Sequence, residues 1–123
     1  MRYSDISPTM RAFLGAFEAF RKMGFLSDNI FCMVSRSVRL GGELGAFCVL
    51  KTQGKEFSID CGPVTSEKDA GEEYQRVSKA VSAGEVPQED MDRIWWESEA
   101  CQRSIPLVLA IQGKGFRVPG DKS

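Results

Sequence analysis

One stretch constrains the fold more than any other: "GAFCVLKTQGKEFSIDCG", from Gly45 to Gly62. Two runs of β-forming residues flank Gln53-Gly54, a two-residue loop of the kind that closes a hairpin. Closing the chain there sets Thr52 opposite Lys55, Lys51 opposite Glu56, Leu50 opposite Phe57 and Val49 opposite Ser58. Cys48 then faces Ile59, Phe47 faces Asp60 and Ala46 faces Cys61. In this register one face is Ala46, Cys48, Leu50, Phe57, Ile59 and Cys61, all apolar, while the other holds the Lys51/Glu56 pair and other polar groups. A slip of one residue would mix the two sets, so the pattern selects the register.

A hairpin with one apolar face needs cover, and the flanking segments supply it. "SPTMRAFLGAFEAFRKMGF" predicts a helix capped by Ser7, with Pro8 in its first turn. Met10, Phe13, Leu14, Phe17 and Phe20 form its apolar stripe. Gly24 suits the left-handed stop, with Phe25 folding back on Phe20. "IFCMVSRSVRL" reads as a strand broken by Gly41 and Gly42. Gly62-Pro63 ends the third strand. Ser66 caps a helix with the stripe Ala70, Tyr74, Val77 and Val81, which Gly84 ends. Pro87 opens another, with Met91, Ile94, Trp95, Ser98 and Cys101 or Gln102 inward. Pro106 implies a new start near Ser104 and a short last helix. The order α-β-β-β-α-α-α gives an α+β fold: a three-stranded antiparallel meander, an N-terminal helix and two to three C-terminal helices. The 123 residues suit a single domain, 1–123, with 117–123 a loose tail.

The four cysteines, at 32, 48, 61 and 101, lack the short spacings of a zinc site, and the chain has no histidine. In the hairpin register Cys48 and Cys61 are diagonal, roughly 7–8 Å apart. That suits neither a relaxed disulfide nor a ligand pair, so both thiols are expected as core filling. The missing histidine also excludes Ser-His-Asp and Cys-His catalysis. Of the carboxylates, only Asp60 and Glu18 stand in apolar contexts, and both are expected at solvated positions. "LGGELG" and "QGKGF" do not have the spacing of a phosphate-cradling loop. No metal, cofactor or enzymatic activity is expected.

Binding remains. Residues 66–99 hold ten acidic against four basic side chains, a net −6 within a chain of net −1. Adjacent helical positions point about 100° apart, so Trp95 and Trp96 cannot share one core. Trp96 is expected either at the core's edge under arginine stems or as a binding anchor. The acidic helices with Trp96 give the first candidate surface: Glu72, Glu73, Glu89, Asp92, Arg93 and Trp96. The second is the outer sheet face of Phe31, Met33, Phe47 and Val49, which would also serve a homodimer. Arg36, Arg39 and Lys51 near Phe31 and Phe47 raise a single-stranded nucleic-acid binder as the alternative, without a recognisable RNA-binding run. The expected function is a non-enzymatic adaptor or inhibitor of a protein partner with a basic surface. A mobile-element-encoded inhibitor of a nucleic-acid-handling complex is one setting that fits. An enzyme of unidentified type is the third reading. The apolar residues near the N-terminus are interrupted by Arg11, Glu18 and Arg21, and "IPLVLAI" is far short of a membrane span. The expectation is a cytoplasmic protein with no membrane partner.

Overall fold

A computed structural model describes residues 1–97. The elements follow the order α1 (Pro8–Lys22), β1 (Ile30–Arg36), β2 (Leu44–Thr52), β3 (Lys55–Pro63), α2 (Glu67–Ser82) and α3 (Gln88–Glu97). Short turns of 3-10 helix at Tyr3–Asp5 and Ser27–Asn29 precede α1 and β1. The strands form one antiparallel sheet in the order β1-β2-β3, and the fold is α+β. The expected last helix near Ser104, the inward positions Ser98, Cys101 and Gln102, and the tail lie outside the described residues.

Each helix boundary has a local cause. Ser7 Oγ accepts from the Met10 N–H at 3.2 Å, and Pro8 needs no partner for its missing N–H. Gly24, at φ +100°, turns the chain out of α1. The Phe25 N–H then donates to the Phe20 carbonyl at 3.1 Å, and the two rings meet edge to face at 6.2 Å. Ser66 caps α2 through the Asp69 N–H at 3.0 Å, and Gly84, at φ +71°, ends it.

The core lies between α1 and the inner sheet face. Met10, Phe13, Leu14 and Phe20 of α1 pack with Cys48, Leu50, Ile59 and Cys61, and Val77 and Ile94 join from α2 and α3. Phe17, Tyr74 and Val81 are only half-buried, at the rim. α1 packs across the strands, α2 reaches β1, and α3 packs on α1 and on the Tyr3–Asp5 turn.

The hairpin register is as expected from Thr52/Lys55 through Phe47/Asp60. It then changes. Ala46 pairs with Gly62, not with Cys61, and Gly45 pairs with Pro63, so β3 continues two residues past its expected end. The cause is a close approach by α1. Thr9 Oγ1 donates to the Pro63 carbonyl at 2.8 Å, and a Cβ on Gly62 would lie 2.7 Å from Thr9 Oγ1. Gly62, at φ +132°, makes the bulge without a side chain.

β1 also ends earlier than its composition implies, at Arg36 rather than at Gly41. Ser37 is 1% exposed. Its N–H donates to the Glu43 carbonyl at 2.9 Å, and its carbonyl accepts from Gly42 at 2.8 Å, folding 37–43 into a compact turn.

Candidate partner-binding surface

α3 carries the first candidate surface. Asp90 and Ile94 are buried, and Met91 and Trp95 are half-buried. At 100° per residue, that inward direction leaves Glu89, Asp92, Arg93 and Trp96 on the outward arc, with Trp96 near its centre. Trp96 is 76% exposed, so it is not a core-edge ring under arginine stems. Trp95 is the ring that packs, with Lys22 Nζ 4.2 Å from its centroid.

The six residues of this surface divide by what holds them. Trp96 is open, Asp92 is exposed and accepts from Gln88 Nε2 at 2.9 Å, and Glu72 is exposed 3.9 Å from Lys68. Glu89 is exposed and pairs with Arg2 at 3.1 Å. Arg93 lies 3.9 Å over the Tyr3 ring and donates to Glu97 at 3.2 Å. Glu73 is different: its carboxylate accepts from the Ser7 N–H and Oγ, at 3.1 and 2.5 Å, and it is a tertiary part of the α1 cap. Five of the six therefore remain on the surface.

The outer sheet face is presented only in part. Register brings Phe31 beside Val49 and Met33 beside Phe47. Phe31 and Met33 are 44% and 41% exposed, but Phe47 is half-buried and Val49 is 1% exposed. Of the three basic groups nearby, Arg36 donates to the Gly42 carbonyl at 2.9 Å and the other two meet carboxylates. Lys51 stands 3.8 Å from Glu56 and 5.7 Å from the Phe31 ring centroid, and Arg39 Nη2 is 3.1 Å from Asp60 Oδ1.

Asp60 is a clasp rather than a solvated outer residue. It accepts from Ser37 Oγ, from Arg39 and from the Gly62 N–H at 3.0 Å, tying the 37–43 turn to the bulge. Burial acts to raise its carboxyl, but these hydrogen bonds outweigh it and hold the group below the usual carboxylate value. Glu18 is paired with Arg21.

The thiols among the described residues are built as filling. Cys32 and Cys48 are cross-strand neighbours with free thiols, and Cys48 and Cys61 lie in the core. Burial pushes Cys32 up to about 11 and Cys48 higher still. A thiol so shifted is almost wholly protonated at neutral pH, and is a poor nucleophile and metal ligand. Among the described residues, no group of histidine, cysteine or carboxylate side chains is arranged to hold a metal, and no helix is long and apolar enough to cross a membrane.

Sequence reasoning missed Tyr3, Asp90 and Ser37. Tyr3 OH donates to Glu97 at 2.9 Å and the Tyr3 N–H donates to Asp90 at 2.8 Å, across 94 and 87 positions of chain. No local pattern signals contacts of that range. Comparisons with protein-family models, with curated proteins and with solved structures find nothing that matches this chain.

Proposed function

We propose that the protein is a non-enzymatic binding module, an adaptor or inhibitor, that docks on a protein partner with a basic surface through the outward face of α3. The observation that carries the reading is the 76% exposure of Trp96 among the exposed carboxylates Glu89 and Asp92. An exposed tryptophan on a helix costs little conformational entropy to order and buries a large area when a partner covers it. The carboxylates set encounter rate and orientation more than affinity. Glu72 on α2 adds to the acidic field, and Arg93 contributes its stem at the edge of the arc. A nucleic-acid-handling complex offers a basic surface of this kind, and a mobile-element-encoded inhibitor is one setting for such a module.

The nucleic-acid reading is weaker. Lys51 and Arg39 already face carboxylates at 3.8 and 3.1 Å, and Arg36 is held by the Gly42 carbonyl at 2.9 Å. A homodimer through the sheet face would rest on Phe31, Met33 and the exposed part of Phe47, with Val49 covered. Cys32 and Cys48, cross-strand neighbours with unbridged thiols, fit a reducing, cytoplasmic setting. Affinity purification with wild type and Trp96→Ala as paired baits tests the proposal. A protein retained by the first and lost from the second supports it, and retention of nucleic acid by both would replace it.

A further inference from the structure

α3 is a ten-residue helix with a thin apolar anchor. Ile94 is its one fully buried apolar side chain among the described residues, and Met91 and Trp95 are half-buried. Its other buried residue is a carboxylate, Asp90, 6% exposed. Helices this short draw their stability from tertiary contacts, so what satisfies Asp90 matters to the whole element.

The N-terminal segment satisfies it. Asp90 Oδ2 accepts from the Tyr3 N–H at 2.8 Å and lies 3.0 Å from Arg2 Nε, and Oδ1 accepts from Arg2 Nη2 at 3.4 Å. Arg2 also reaches Glu89 at 3.1 Å. The Tyr3 ring then bridges two helices. Arg11 of α1 lies 4.1 Å from its centroid and Arg93 of α3 lies 3.9 Å from it, while its hydroxyl donates to Glu97 at 2.9 Å. Two guanidinium groups on one ring are a cation–π stack that links α1 to α3 through Tyr3. Among the described residues Arg11 Nε is buried without a hydrogen-bond partner, and the guanidinium lies against the Tyr3 ring.

We infer that Arg2 and Tyr3 form a latch, and that the docking of α3, and with it the presentation of Trp96, depends on this latch as well as on the seat of Ile94 in the core. Glu89, Asp90, Arg93 and Glu97 all face the N-terminal segment, and all belong to α3. Release of two residues therefore loosens α3 more than α2 or the sheet. The latch stands whether or not Trp96 binds a partner, because its evidence is intramolecular.

Amide hydrogen exchange on the full chain tests it, with wild type, Tyr3→Ala, Tyr3→Phe and Arg2→Gln. Tyr3→Ala is expected to speed exchange in 88–97 by about tenfold or more beyond any change in 46–50 of β2. Tyr3→Phe keeps the stacked ring and should restore most of the protection. Arg2→Gln removes the ion pairs but not the ring, and gives the same regional loss in a milder background. Trp95 and Trp96 are the only tryptophans, so acrylamide quenching reports α3 independently and should rise with the exchange. Wild-type protection of α3 in both Tyr3→Ala and Arg2→Gln overturns the inference. So does acceleration that is equal in α3 and β2, since that is general destabilisation.

Discussion

Glu73 closes the first turn of α1 from another helix, accepting from the Ser7 N–H at 3.1 Å and from Ser7 Oγ at 2.5 Å. Ser7 in turn accepts from Met10, so one carboxylate on α2 fixes the cap and the seat of α1 together. Hydrogen bonds to a charged acceptor contribute about 1.5–3 kcal/mol. Glu73→Ala should therefore destabilise by about 2 kcal/mol. The neighbouring Glu72→Ala, at an exposed position, should stay within about 0.5 kcal/mol. Urea denaturation of both variants checks the contrast, and equal effects would contradict it.

Asp60 makes stability depend on pH in a defined direction. Its carboxyl is held below the ordinary value, which is about 3.9 for an unfolded aspartate. The clasp contributes fully above that unfolded value and is lost as pH falls through the folded one. Asp60→Asn should thus be less stable than wild type near pH 7, with the gap closing below about pH 4. Denaturation curves at neutral and acid pH test this, and a gap that persists unchanged into acid would refute it.

How far the sequence discloses the fold depends on the range of the contact. The hairpin is legible from Thr52/Lys55 to Phe47/Asp60 because turn chemistry and alternation are local. The bulge at Gly62 is not, because it answers to Thr9 more than fifty positions earlier. Ser7, Gly24, Ser66 and Gly84 announce their roles through short-range cap chemistry. Glu73 and Asp90 look like ordinary surface acids, since their partners Ser7, Arg2 and Tyr3 are distant in the chain. For the candidate surface, the 100° step between Trp95 and Trp96 shows that one ring must leave the core. Which partners Glu73, Glu89 and Arg93 keep is a tertiary matter, and no periodicity holds it.

Cys32 and Cys48 should be inert in the folded protein. With Cys32 pushed to about 11 and Cys48 higher, the reactive thiolate is scarce at neutral pH. Iodoacetamide followed by peptide mapping should leave Cys32 and Cys48 unmodified in the native protein and label both after denaturation. Fast native labelling of either would contradict the assignment as filling.

The central claim is that Trp96 anchors a protein partner while the surrounding acids steer it. Trp96→Ala should leave the fold intact, because the ring is 76% exposed, yet weaken binding by about 2 kcal/mol or more, mainly through faster dissociation. Reversing Glu72 and Asp92, the two acids of this surface whose partners lie on their own helices, to lysine should instead slow association, most clearly at low salt. The direct measurement is binding kinetics against the captured partner at low and high ionic strength, for wild type, Trp96→Ala and the double reversal. Faster dissociation for the first variant and salt-dependent slowing for the second is the predicted result. Wild-type kinetics in both variants would show the outward face of α3 to be a solvated surface.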